Sequence, residues 1–111
     1  MLSRKHRINK SLFKEILKNG KNYNSDFFSL KIIHNFKNGP CFAFVVSKKT
    51  AKKAVARNKL KRRARYIVKK YLNSFKKNTA NIIFFKKGSE TMEFSELEKN
   101  MLELFKKTRI L

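Results

Sequence analysis

FVVSKKTAKKAVARNKLKRRAR, residues 44–65, closes one apolar run and opens a long basic one. Its apolar part belongs to CFAFVVS, residues 41–47, whose β-branched and aromatic side chains predict a strand. Beyond it no Gly or Pro occurs from about Thr50 to Leu72, and Ala54, Leu60, Ala64, Ile67, Val68 and Tyr71 recur at near-helical spacing. A strand feeding a long amphipathic helix is predicted. The apolar stripe of that helix belongs to the core, and Tyr66 and Tyr71 carry no functional weight in this pattern. Arg57, Lys61 and Arg65 step by four and share one side, with Asn58, Arg62 and Lys69 beside them, so the helix has a basic face.

Working upstream, FFSLKIIH (27–34) is a second extended run, separated from CFAFVVS by NFKNGP, whose Asn, Gly and Pro mark a turn. The two runs are expected to pair as an antiparallel hairpin. CFAFVV is apolar at every position, which predicts a central strand covered on both faces. Further upstream, SLFKEILKN (11–19) carries Leu12, Phe13, Ile16 and Leu17 on one helical side and stops at Gly20. Downstream, TANIIFF (79–85) reads as another strand. After KKGSET a final helix begins near Ser95, where Ser95 and Glu98 have capping-box spacing and Leu97, Met101, Leu104 and Phe105 form the buried stripe. The residues therefore read α, β, β, α, β, α, an α+β domain. No repeat or linker divides the 111 residues, so 1–111 is one domain, with residues 1–9 a basic, flexible tail.

The charge narrows what such a domain does. There are 29 Lys plus Arg against 7 Asp plus Glu, a net charge of +22, which excludes the ordinary soluble enzyme. Hydrophobic residues at 41% with eleven Phe still supply a core, so the charge does not signal disorder. A compact state this cationic is best tolerated with an anionic partner: nucleic acid, an anionic membrane surface or acidic protein. MLSRKHRINK has no apolar run after its charges and no stretch approaches 18 apolar residues, so neither a signal peptide nor a membrane span is expected and the cytoplasm is the expected compartment. The single Cys41 lies in an apolar run, which predicts a buried thiol and no disulfide-linked partner.

The charge is also sorted along the chain. All seven acids lie before residue 27 or after residue 89, whereas that acid-free window holds 18 of the 29 basic residues, twelve of them between Lys48 and Lys70. A solvated surface normally intersperses the two signs. Lys outnumbers Arg 22 to 7, yet Arg57, Arg62, Arg63 and Arg65 crowd into nine residues. A guanidinium grips phosphate oxygens bidentately and stacks on bases, which an ammonium does not, so geometry matters in this cluster.

Catalytic chemistry is missing by contrast. Hydrolysis of a phosphodiester needs clustered carboxylates holding metal ions or a His or Lys pair for acid and base work. Glu96 and Glu103 read instead as the polar face of the last helix, and a nuclease acting through them is the least favoured reading. No GxxxxGK[ST], GxSxG or GxGxxG motif occurs. A sheet with aromatic residues beside a basic helix suits single strands and folded RNA better than a DNA major groove, so RNA is favoured. From the residues alone a ribosomal or other structural RNA-binding protein stays open.

Residues 44–65 resemble the most recognisable stretch of the bacterial ribonuclease P protein component. That family carries V-S-K-K or A-K-K at a strand end, a short basic connection, then A-x-x-R-N-R-x-K-R-x-x-R opening its long helix. The matching positions are Ser47, Lys48 and Lys49, then Ala54, Arg57, Asn58, Lys59, Lys61, Arg62 and Arg65. The surrounding elements occur in the same order over almost the whole chain. The resemblance implies a two-layer α+β sandwich, α-β-β-β-α-β-α, with a left-handed β-α-β crossover, an arrangement rare among proteins. It adds a short strand near Lys21 to Asn24 that the residue pattern does not reveal.

In function, the resemblance implies the protein subunit of an endoribonuclease that trims the 5′ leader of precursor tRNA. The family's catalysis belongs to the RNA subunit and its Mg2+, with no protein-only metal site. The expected partners are ribonuclease P RNA and precursor tRNA. By the same resemblance Arg57, Asn58, Lys59 and Arg62 contact the RNA subunit, and Lys59 replaces the usual Arg, keeping the charge without the bidentate fork. The precursor's leader maps onto Phe13, Leu17, Lys31, Ser47, Lys48, Lys61 and Arg65. Leu17 and Lys31 stand where some members place aromatics, so leader affinity here leans more on charge.

Overall fold

The structure, a computed structural model, describes residues 4–111. The most apolar strand decides the sheet. TANIIFF forms β4 (Thr79–Phe85), buried along its length except at Phe84, and so takes a central position with a partner on each edge. It runs antiparallel to β2 (Phe28–His34), from Phe28↔Phe85 to His34↔Thr79, and parallel to β3 (Cys41–Val46), from Cys41↔Ala80 to Val46↔Phe85. On the far side of β2 lies β1 (Lys21–Asn24), the short strand implied by the resemblance, in antiparallel register from Lys21↔Ile32 to Asn24↔Ser29. The order is β1-β2-β4-β3.

Two expectations fail here. The runs 27–34 and 41–47 do not form a hairpin, because β4 inserts between them. Two strands separated by a third lie roughly 10 Å apart, and the six residues of NFKNGP span that width easily. Their path is tight against β4: a Cβ at Gly39 would collide with the Thr79 carbonyl oxygen. CFAFVV is accordingly an edge strand and not a central one. Its apolarity comes from being packed on both faces, and its open edge meets the N-terminal segment. Arg7 bridges to Phe42, His6 Nδ1 donates to the Pro40 carbonyl at 2.7 Å, and the Cys41 thiol donates to the Lys5 carbonyl at 3.3 Å.

Alternation along the strands feeds two apolar clusters. Phe28, Leu30 and Ile32 of β2, Phe42 and Val46 of β3, and Ile83 and Phe85 of β4 point one way. They are covered by Leu60, Ala64, Ile67 and Val68 of α2 (Ala54–Lys70) and Leu97, Met101, Leu104 and Phe105 of α3 (Phe94–Lys107). On the opposite face, Ile16 of α1 (Lys10–Asn19) seals Cys41, Ala80 and Ile82, with Leu12, Phe13, Ile33 and Phe84 around them. The elements follow the order α-β-β-β-α-β-α in one domain.

Helix starts reflect local chemistry. Asn9 caps α1, its Oδ1 accepting from the Leu12 amide at 2.8 Å. The expected Ser95–Glu98 capping box does not form: α3 begins one residue earlier, at Phe94, and Ser95 lies inside it. Glu98 turns instead to the end of α2, accepting from the Tyr71 hydroxyl at 2.7 Å and the Lys70 ammonium at 3.1 Å. The Tyr71 hydrogen bond, with help from Lys70, holds the Glu98 carboxyl below the usual range, and the same bond raises the Tyr71 hydroxyl. This contact ties the two helices of the covering layer together.

Candidate nucleic-acid interface

The buried stripe of α2 fixes where its cations go. Leu60, Ala64, Ile67 and Val68 face the sheet, so Lys61 and Arg65 stand on the flank beside β3 while Asn58, Lys59 and Arg62 point to solvent. Lys61 and Arg65 join Arg7, Ile8, Phe42, Ala43 and Phe44 in lining a cleft of about 300 Å³. The cleft thus lies between the N-terminal segment, the edge strand and α2, with cations on its walls and, on its floor, the partly buried Phe44 beside the core residue Phe42. Arg7, Ile8, Phe42 and Phe44 are not among the residues singled out from sequence. The basic RKHR preceding Ile8 was their only signal, since pairing of that segment with β3 is a tertiary event.

Arg57 has a double position. Its Nη1 donates to the Ala51 carbonyl at 3.0 Å and the Lys52 carbonyl at 2.7 Å, holding the turn that leads into α2 in place of a side-chain cap. The other guanidinium donors are not used in those bonds and stay available to a phosphate. Arg63, the fourth arginine of the cluster, turns the other way, toward the Met92 carbonyl at 3.5 Å. Among the described residues the ion pairs are Lys70–Glu98 and Lys87–Glu90, and neither engages Arg57, Lys61, Arg62 or Arg65.

The remaining candidate residues occupy neighbouring places. Ser47 and Lys48 are exposed in the turn after β3, where the Ser47 carbonyl accepts from the Thr50 and Ala51 amides and Thr50 Oγ1 donates to the Phe85 carbonyl at 3.1 Å. That last bond fastens the turn to the end of β4. Phe13, half-buried, lines a groove of about 330 Å³ with Ile8, Asn9, Lys10 and Lys14. Ile8 belongs to both this groove and the cleft, so the two concavities adjoin. Leu17 and Lys31 meet each other on the α1 side of the sheet, the Lys31 ammonium donating to the Leu17 carbonyl at 2.9 Å. The lysine is partly satisfied within the fold, and Leu17 is 40% exposed.

For chemistry, what the fold brings together is cations. Among the described residues no three His, Cys, Asp or Glu side chains converge to hold a metal ion. Burial pushes the Cys41 thiol up, away from the reactive thiolate. No helix among the described residues is long and apolar enough to cross a membrane.

Comparison with known proteins bears on the family and the fold. The family model described as Ribonuclease P matches residues 2–109. A ribonuclease P protein component of Streptococcus pneumoniae is 35% identical over 98 residues, covering 88% of this chain and 79% of the relative. Among solved structures, the RNase P protein from Thermotoga maritima superposes with a TM-score of 0.78 at 26% identity, over 91% of this chain and 96% of that one. The RNase P protein from Staphylococcus aureus gives a TM-score of 0.80 at 25% identity, over 100% and 96%.

Proposed function

This chain belongs to the ribonuclease P protein family, and on that footing we propose that it is the non-catalytic subunit of the ribonucleoprotein that removes the 5′ leader of precursor tRNA. It holds the RNA subunit through Arg57, Asn58, Lys59 and Arg62. It guides the leader along the cleft of Lys61 and Arg65 past Ser47 and Lys48 toward Phe13, with Leu17 and Lys31 at the margin. Magnesium is assigned mainly to the RNA subunit, and the assembly works in the cytoplasm. The observation that carries this reading is Lys61 and Arg65 on the α2 wall of one cleft, without a carboxylate partner among the described residues. Polyanion binding releases counterions from RNA at just such a surface, and aromatic rings beside it accept unstacked bases.

Leader binding is tested with Phe13→Ala. The variant is expected to bind precursors with long leaders several-fold more weakly while mature tRNA is unaffected, the effect of losing one stacking ring. Equal losses for both substrates would make Phe13 a packing residue of the α1 cluster and nothing more.

Arg57→Ala tests the RNA-subunit face. It should weaken RNA binding and reduce the slope of log affinity against log salt by roughly one unit or less, the signature of one lost phosphate contact. Because Arg57 also holds the Ala51 and Lys52 carbonyls, the melting temperature should fall as well. An unchanged salt slope would confine Arg57 to that structural task.

A further inference from the structure

The outward face of α2 carries more than cations. Among the described residues the exposed large hydrophobics are Leu17, Val55 and Tyr66, and two of the three lie on this helix. Val55 is 79% exposed and Tyr66 63% exposed. Eleven residues make three helical turns, so both stand on one side, in line with Lys59 and Arg62. Tyr66 does not wave free: its ring meets Phe94 of α3 edge to face, centroids 5.7 Å apart and planes at 70°. Packing of this kind fixes the ring plane while leaving most of the ring in water.

Around that ring lies a concavity of about 490 Å³ lined by Arg62, Arg65, Tyr66, Lys69 and Lys70. Four of the five are cationic, and among the described residues Lys70 alone of these has a carboxylate partner, Glu98. Arg65 belongs also to the cleft beside β3, so the two concavities adjoin. A rigid ring in a cationic rim is the arrangement that receives an unstacked base with its phosphates. An acidic peptide would use the cationic rim, whereas a nucleotide uses the rim and the ring plane together.

We propose that Tyr66 is a stacking platform for one unpaired nucleotide of the RNA subunit, its phosphates held by Arg62 and Lys69. This rests on the family reading above, which assigns Arg62 to the RNA subunit. The RNA subunit is chosen over the precursor because Tyr66 is one turn beyond Arg62 and two beyond Asn58 on the solvent side, and Lys61, assigned to the leader, does not line its concavity.

The test measures binding of full-length protein to the RNA subunit, and of the assembled holoenzyme to precursor and mature tRNA, across a salt series. Tyr66→Phe keeps the ring and should bind the RNA subunit within about twofold of the parent. Tyr66→Leu keeps apolar volume against Phe94 without an aromatic face and should lose about tenfold, the scale of one stack, with an unchanged salt slope. Tyr66→Ala should match Tyr66→Leu; if it loses its fold, Tyr66→Leu still decides. Parental affinity in Tyr66→Leu would overturn the platform, as would a loss seen only with leader-bearing precursor. If the unaltered protein itself fails to prefer the RNA subunit over an unrelated RNA, the family-based reading falls and takes the platform's premise with it.

Discussion

Replacing Phe105 with alanine should lower the free energy of unfolding by about 3–5 kcal/mol, the cost of a large cavity in a core that relaxes only in part. Phe105 is fully buried, and its ring meets Phe75 edge to face at 5.2 Å. Phe75 in turn meets Phe42 at 4.9 Å. The three rings run from α3 through the link before β4 to the edge strand, and Phe42 is part of the cleft floor. A domain of this size has roughly 5–15 kcal/mol in total, and this one also bears the self-repulsion of +22 charges. The variant should therefore unfold near physiological temperature and loosen the cleft from beneath. Urea unfolding measures it; a loss below about 1 kcal/mol would mean that α3 does not hold the sheet in the way described.

Much of this architecture is legible in the residues. The uninterrupted helix after Thr50, the stripe of α3 and the strand NIIFF follow from periodicity and from the positions of Gly and Pro, and each forms about where expected. What local pattern does not contain is who pairs with whom. CFAFVV and FFSLKIIH flank a turn, and nothing within either run says that β4, some thirty residues on, will come between them. That placement follows from burial, because TANIIFF has no face to give to water. β1 is likewise illegible: KNYN is polar, and it becomes a strand only because β2 offers it an edge. The Ser95–Glu98 spacing misleads for the same reason, since Tyr71 and Lys70 are better partners for Glu98 than a backbone amide.

The binding surface divides similarly. Sign purity between residues 27 and 89 points to α2, and the sheet-facing stripe then leaves Arg57, Lys61 and Arg65 on one flank, unpaired with any carboxylate among the described residues. Arg63 shows the limit of reading a cluster by count, for it turns to the Met92 carbonyl. Arg7 and Ile8 enter the cleft through pairing with β3, and Tyr66 acquires its orientation from Phe94 of α3; both depend on contacts distant in sequence.

Omission of the RNA subunit should abolish cleavage of precursor tRNA. Among the described residues no three His, Cys, Asp or Glu side chains converge, and Glu96 and Glu103 are seven residues apart on one helix, about 10 Å along its axis. Glu98 is held by Tyr71 and Lys70, and Glu90 by the Gly88 amide and Lys87. His6 is engaged with the Pro40 carbonyl. Asp26 and Glu103 do line one concavity, but with Lys107 beside them, and among the described residues no third His, Cys, Asp or Glu joins them. Lys61 and Arg65 line a cleft, and cations beside a cleft bind and align a polyanion. The direct measurement is cleavage of one labelled precursor tRNA by the protein alone, by the RNA subunit alone, and by the two together over a magnesium titration. Expected are no product from protein alone, product from RNA alone only at high magnesium, and a lower magnesium requirement with tighter substrate binding for the pair. Rapid cleavage by the RNA-free protein, lost on changing Glu96 or Glu103 to glutamine, would contradict it.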